Sequence, residues 1–397
     1  EADEANKPAE VEAIEAFLLS QAEFRHNVIT HHCEIRWTEE AGFLPLTDRD
    51  VNTLWGRMNK TVGRVYLTDI YNVIHSEFVP LFNPFQSYFD HLPSWDGVSD
   101  PIGDLADTVH VKSDQAEFRD YFRKWFVGIL PALLDDTVVN HEILVLIGEQ
   151  GLYKTTWFNF LLPPELRCYF YTKTNSDRLN KDDLFSLTEF ALICFEELDG
   201  MRPAELNQLK AMVTMPYVNE RAAYGRNKER HPHIASFCGT GNNVQFLTDP
   251  TGNRRWLPFE VSQIRDPHQH AIPYELVYSQ AYALWKSGFC HWFSQEEIRK
   301  LNMHNSRFEV PNLEEDLIRT HFRKPFEGEA GIFVTAADIL EQISSCLRYP
   351  LSPNKIGRIM AGLEFESIRY KGKRGYIAVK KTGEDIDRER RSGALGL

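Results

Sequence analysis

No apolar run in the sequence approaches the ~20 residues needed to cross a bilayer, and no signal-peptide core is present. Membrane-embedded and secreted proteins are therefore not expected. Six cysteines (Cys33, Cys168, Cys194, Cys238, Cys290, Cys346) form no C-x-x-C pair, which disfavours a zinc site and suits a reducing cytoplasm. Cys194 and Cys238 sit inside apolar runs, where a free thiol acts as a small core hydrophobe. Positive charge is scarce. Lys and Arg number 44 against 57 Asp and Glu, a net of −13, too acidic for a nonspecific nucleic-acid coat. No acidic-triad polymerase motif stands out, and no acceptor-binding motif of a small-molecule kinase. The chain starts at Glu1 rather than methionine, so removal of an upstream piece is expected.

What remains is an ordinary globular composition: 397 residues, 43% hydrophobic and 25% charged, enough for two or three domains. Charge is unevenly spread. Residues 200–260 hold 8 basic against 5 acidic, residues 331–397 hold 12 against 8, and the rest is −20. Local basic surface on an acidic body suits contact with nucleic acid at chosen places.

The informative stretch is Glu142 to Trp157. A run of buried-type strand residues, Ile143 to Ile147, ends at Gly148; Glu149, Gln150, Gly151, Leu152 and Tyr153 make a short loop; Lys154, Thr155 and Thr156 lead into an apolar helical segment, Trp157 to Leu162. Strand, loop and helix in that order form a phosphate-binding loop, whose backbone N–H groups cradle phosphates at a helix N-terminus. Lys154 would reach the β/γ-phosphates and Thr155 would hold Mg²⁺. Tyr153 departs from the pattern, which wants glycine before the lysine because that position takes positive φ. An ordinary strand-to-helix turn is the alternative.

About 40 residues after Thr155, the apolar strand Phe190 to Phe195 runs straight into Glu196 and Glu197. Such a strand is expected to neighbour the loop's strand and end beside the nucleotide. Glu196 would serve the metal and Glu197 the attacking water. A strand tipped by solvated acids is the bland reading. A third buried strand, Ile234 to Thr240, ends at Asn242, placed to sense the γ-phosphate. Arg254 and Arg255 follow a Gly turn and read either as a surface clasp or as cations for transition-state charge across a subunit boundary.

Elsewhere the pattern predicts a helix from Glu10 to Phe24 and an extended pair over 27–37. Helices capped by Thr47 and by Thr68 follow, and then an aromatic linker (Phe82, Phe85, Tyr88, Phe89, Leu92, Trp95) that packs on the core rather than stacking on bases. His31 and His32 read as turn residues. Phe118 to Leu134 is an amphipathic helix, Leu166 to Tyr171 a strand, Lys181 to Leu187 and Pro203 to Met212 helices. Residues 270–330 read as a helical, aromatic-rich lid. Thr335 and Ser352 cap two helices, and strands Phe365 to Tyr370 and Tyr376 to Val379 flank a basic connection. That is winged-helix order, open to DNA contact or to protein docking.

Together, Gly148 to Gly151 with Lys154-Thr155, Glu196 to Gly200, Tyr224 to Arg226, Gly239 to Asn242 and Leu247 to Arg255 resemble the virulence-associated E family, helicase-like modules of mobile-element and satellite-phage primase-helicases. The likeness extends to Phe24–Asn27 and Asn52–Trp55, so it spans most of residues 20–260. It implies an α/β fold: an AAA+ P-loop core at 131–265, after a mainly helical domain (1–130) and before a helical lid (266–330) and a winged-helix-like domain (331–397). It implies ATP and Mg²⁺ at the subunit interfaces of a ring, with a hexamer the expected form. Lys154, Thr155, Glu196, Glu197 and Asn242 would lie on one side, with Arg254 or Arg255 from the neighbour. Arg221, Arg226, Lys228 and Arg230 would track single-stranded or forked DNA in the pore. Lys355, Arg358, Lys371, Lys373 and Arg374 would touch DNA from the last domain. A primase is the implied companion. Glu196, where aspartate is more usual, and Tyr153 are departures compatible with slow turnover. The expected function is ATP-dependent DNA unwinding; the rival is a nucleotide-binding clamp or assembly switch with little hydrolysis.

Overall fold

The computed structural model describes residues 10–174, 181–220, 229–248, 253–310, 313–326, 328–344 and 352–385. The chain is a mixed α/β protein that divides into two units, Glu1–Glu309 and Val310–Leu397.

In the first unit, helix α1 (Val11–Gln21) gives way at once to strand β1 (Ala22–Asn27), which pairs antiparallel with β2 (His32–Trp37) and carries β3 (Leu44–Pro45) beyond it. The helix stops short of Phe24 because Ala22, Phe24 and Asn27 turn inward from an extended chain. Helix α2 (Asp48–Thr61) begins at a capping box, with Thr47 Oγ1 accepting from Asp50 N and Asp50 Oδ2 accepting from Thr47 N at 2.9 Å. Helix α3 (Leu67–Ile74) has Tyr66 at its N-cap, with Asp69 Oδ2 accepting from Tyr66 N at 3.2 Å; Thr68, expected there, lies in the first turn. Strand β4 (Leu81–Phe82) then joins β1 in parallel, followed by α4 (Pro84–Asp90) and α5 (Pro101–Ala106). The linker aromatics pack as expected: Phe85 and Phe89 are buried, and the rings of Tyr88 and Tyr278 meet edge to face at 5.6 Å.

The central sheet is built from β5 (Val109–Val111), β6 (Ile143–Ile147), β7 (Phe170–Lys173), β8 (Leu192–Phe195), β11 (Ser236–Gly241) and β12 (Trp256–Ile264). Between them lie α6 (Gln115–Leu134), α7 (Lys154–Phe160), α8 (Lys181–Glu189), α9 (Pro203–Val213) and a separate hairpin, β9 (Tyr217–Glu220) with β10 (Glu229–Pro232). Helices α10 (Tyr274–Lys286) and α11 (Gln295–Asn305) close the unit. The strand order is β5-β12-β6-β11-β8-β7, parallel except for β5. Both faces are covered, which is why these strands read as continuous apolar runs. Leu144 and Leu146 face one core with α6 and α10; Ile143, Val145 and Ile147 face the other with α9.

Two expectations need correction here. The strand ending at Glu196 is not the immediate neighbour of the strand ending at Gly148, because β11 lies between them. The stretch Leu166 to Tyr171 is mostly a 3₁₀ turn, Arg167–Tyr169, and extends only from Phe170.

In the second unit, α12 (Leu313–His321) and β13 (Phe322–Arg323) precede β14 (Ile332–Val334), α13 (Ala336–Ser344), α14 (Pro353–Gly362) and the antiparallel pair β15 (Ser367–Tyr370) and β16 (Lys373–Lys380). Strand β16 also pairs with β13 and β14. Thr335 and Asp338 cap α13 reciprocally, and Ser352 Oγ accepts from Lys355 N with Pro353 in the first turn.

Candidate functional site

Strand β6 delivers the chain to Gly148 in the middle of the sheet, and α7 starts six residues later. Between them Gly151 takes φ 85° and Tyr153 takes φ 60°, ψ 18°. Tyr153 therefore occupies the left-handed conformation that the missing glycine would have adopted freely. For an L-residue with a side chain that conformation costs about 1–2 kcal/mol. The residue is 43% exposed and stands in the wall of the hollow beside it.

That hollow has a volume of about 360 Å³ and is lined by residues 150–156, Glu196, Glu197, Thr240, Gly241 and Asn242. Gly148 and Glu149 stand behind it and offer their carbonyls to Lys154, whose Nζ donates to Gly148 O at 2.6 Å and to Glu149 O at 2.7 Å. Asn242 Oδ1 lies 3.5 Å from the same nitrogen. Lys154 is 8% exposed; burial pushes its amine below the ordinary value, with the charge of Asp199 opposing. Across the hollow, Thr155 Oγ1 donates to Glu196 Oε1 at 2.8 Å.

The acid-bearing strand and the Asn-bearing strand are joined by a residue that motif spacing did not single out. Asp199 accepts from the backbone N–H groups of Asn242 and Asn243, both at 3.1 Å, and from Asn243 Nδ2 at 2.6 Å. The two glycines opposite are what admit this turn: a Cβ on Gly239 would sit 2.2 Å from Leu198 Cδ1, and one on Gly241 3.1 Å from Asp199 Oδ1. The available signal was a third carboxylate in Glu196-Glu197-Leu198-Asp199-Gly200. Thr240, also on the wall, stood in the Gly239 to Asn242 motif without a role of its own.

The donors suit a triphosphate and a hard cation. A hydroxyl and a carboxylate are already within one hydrogen bond, and a lysine and a helix N-terminus face the same space. Among the described residues no group of three or more His, Cys, Asp or Glu could hold a metal. A cation here would take its remaining ligands from phosphate and water, as Mg²⁺ commonly does.

Arg254 and Arg255 do not reach this space. They form the short turn Asn253–Arg255 immediately before Trp256, which pairs with Ile143 at the far end of β6. Roughly 13 Å of strand separates them from the loop. Burial lowers the Arg255 guanidinium from its ordinary value, Arg254 adds to that, and Glu142 opposes it. Of the expected DNA contacts, Arg221, Arg226 and Lys228 lie outside the described residues. Arg230 stands on β10 with its guanidinium 3.8 Å from the Tyr217 ring centroid.

In the second unit Lys355 is ion-paired to Glu314 of α12, while Arg358 is exposed one turn further on. Lys371 occupies the β15–β16 turn at φ 48°. Lys373 and Arg374, expected in the connection, are paired residues of the strand itself, and Arg374 Nε donates to Ser367 Oγ at 3.1 Å. His31 lies in the expected turn, whereas His32 opens β2 opposite Asn27; both are exposed, and the His31 ring lies 4.8 Å from that of His231.

A larger cavity, about 760 Å³, opens beside Arg25, Tyr88 and Tyr169. The site is assigned to the smaller one because, among the described residues, lysine, hydroxyl, carboxylates and helix N-terminus converge only there.

The sequence model of the virulence-associated protein E-like domain matches residues 90–310. That span leaves Phe24–Asn27 and Asn52–Trp55 outside and runs on past residue 260. None of the curated proteins matches. Among solved structures, the apo structure of the NrS-1 C terminal region is similar at a TM-score of 0.48 and 12% identity, over 94% of this chain and 99% of that one. The A form apo structure of the same region gives 0.46 and 12%, over 94% and 99%.

Proposed function

This chain belongs to the virulence-associated protein E-like family, and from that premise we propose that it is an AAA+ P-loop ATPase. It would move along single-stranded DNA and unwind duplex during replication of a mobile genetic element. The observation that carries the reading is the convergence of Lys154, Thr155, Glu196, Glu197 and Asn242 on one hollow at the end of a parallel sheet. In this reading Lys154 leaves its two carbonyls for the β/γ-phosphates of ATP, and the loop N–H groups hold the remaining phosphate oxygens. Thr155 and Glu196 would hold Mg²⁺, which would supply charge neutralisation on the transferring phosphoryl group. Glu197 orients the attacking water, and Asn242, fixed through Asp199, contacts the γ-phosphate.

Arg254 and Arg255, at the far end of β6, suit a ring, hexameric by expectation, in which each subunit completes its neighbour's site. The β9–β10 hairpin would carry cations toward the strand in the pore. A winged-helix-like second unit, a primase companion and a cytoplasmic location complete the proposal. Steady-state ATPase with and without single-stranded DNA tests it. Stimulation by DNA that Lys154→Ala and Glu197→Gln both abolish is expected; absence of hydrolysis would overturn it.

A second reading is a nucleotide-bound DNA clamp or assembly switch with little turnover. Tyr153 favours it, since a strained, substituted position sits where phosphate must approach backbone. ATP binding without hydrolysis would select it.

A further inference from the structure

Far from the loop in sequence, outside the stretch matched by the family, α2 and the segment after it form another recess. It is about 380 Å³ and is lined by Asn52, Trp55, Asn59, Arg64 and Tyr66. That volume lies in the range of small-ligand sites, about 300–1,000 Å³.

Trp55 is 41% exposed and Tyr66 47%, yet the indole is fixed. Trp55 Nε1 donates to Val65 O at 2.9 Å. Asn59 Nδ2 donates to Trp55 O at 2.9 Å and to Val65 O at 3.2 Å, while Asn59 Oδ1 accepts from Val65 N at 3.1 Å. Three bonds thus lock the helix end to the returning chain and hold a large exposed aromatic surface in place. A core residue would hide that surface, and a flexible one would lose entropy on binding.

Charge points to the kind of ligand. Residues 48–66 carry four basic groups (Arg49, Arg57, Lys60, Arg64) against two acidic ones, a local +2 on a chain of −13. Both acids are engaged at the start of the helix: Asp50 caps Thr47, and Asp48 accepts from the Tyr71 hydroxyl at 2.8 Å. Arg49, Asn52, Trp55 and Asn59 recur at helical spacing along one stripe, and Lys60 follows at the helix end. The Arg64 guanidinium stands 5.2 Å from the Tyr66 ring centroid.

We propose that this slot binds an unpaired base of a single strand between Trp55 and Tyr66, with Arg64 and Lys60 on the adjoining phosphates. Aromatic rings take any base by its face, and cations track the backbone. The site shares single-stranded DNA with the proposed function but needs neither ATP nor hydrolysis.

The test is fluorescence anisotropy of labelled dT20 on the full chain without nucleotide, with DNA-free ATPase measured in parallel. Trp55→Ala and Tyr66→Ala should each weaken binding at least ~5-fold, the lower end of the stacking range. Lys60→Glu with Arg64→Glu should weaken it and flatten its salt dependence. Tyr66→Ala and the double charge reversal leave the indole's bond to Val65 intact, so a misfolded Trp55→Ala cannot decide the matter. Strands bearing 5-iododeoxyuridine should cross-link to Trp55 or Tyr66. Unchanged binding in all variants, cross-links confined to other residues, or displacement of dT20 by dTMP at equal affinity would overturn the assignment. Unchanged DNA-free hydrolysis in these variants separates failure here from failure of the ATPase reading.

Discussion

Thr155 Oγ1 and Glu196 Oε1 are 2.8 Å apart although the strands leading to them are separated by β11. The contact exists because Thr155 sits in the first turn of α7 rather than on the sheet, so it reaches across the middle strand's tip. Thr155→Ala should lower nucleotide affinity at least roughly tenfold in Mg²⁺. In EDTA the same change should have little effect. Titration of a fluorescent ATP analogue in both buffers measures it.

Tyr153→Gly should relieve the left-handed strain of about 1–2 kcal/mol, offset in part by the glycine's own unfolded-state entropy. A small rise in Tm and faster turnover are expected. Tyr153→Ala, which keeps a Cβ at φ 60°, should give neither. Differential scanning calorimetry beside phosphate-release assays separates the two variants.

Removal of Asp199 cuts two backbone bonds and one side-chain bond to the tip of β11. Asp199→Ala should displace Asn242 and lower kcat by roughly 10²-fold, the usual effect of an ångström-scale misplacement. Nucleotide affinity should change much less than kcat, because the loop keeps its hydrogen bonds and Lys154 loses only the opposing charge of Asp199. Single-turnover hydrolysis with a parallel binding titration gives both numbers.

Arg254 and Arg255 lie at the wrong end of β6 to serve their own loop. Lys154→Ala and Arg255→Ala proteins should each be inactive alone, and a mixture should recover part of the activity. A mixture as dead as its components would exclude action between subunits.

His233 is 1% exposed and burial depresses it to about 4, with its Nδ1 bonded to Met215 O at 2.6 Å. Between pH 6.5 and about 4 the unfolded chain takes a proton that the folded chain refuses. Stability should therefore fall as pH falls through that window, by at most about 3 kcal/mol from this group. His233→Asn, which keeps an N–H for that carbonyl, should flatten the acid limb of urea-unfolding stability relative to the parent.

Much of this was legible from residue order. Ile143 to Gly148, Lys154-Thr155 and Glu196-Glu197 are local patterns, and a buried parallel strand announces itself as an unbroken apolar run. The caps at Thr47, Thr335 and Ser352 were legible for the same reason, since a cap needs only residues three apart. Pairing was not. Nothing local says that β11 intervenes between β6 and β8, that Asp199 would clamp Asn242, or that Lys355 would pair with Glu314. Thr68 was a plausible cap, but Asp69 bonds the backbone N–H of Tyr66 and starts the helix two residues earlier. Lys373 and Arg374 looked like loop residues because charge obscured a strand whose tight turn needs only Lys371 and Gly372.

The β9–β10 ribbon shares no ladder with the central sheet and is anchored by buried Val218 and the meeting of His31 with His231. Its strands can thus shift without breaking a main-chain rung of the large sheet, although the chain leaving β10 is tied to α8 by bonds from Ile234 N and Ala235 N to Leu187 O. Substitutions at Val218 or His231 should therefore loosen the ribbon while the rungs of the large sheet stay as they are.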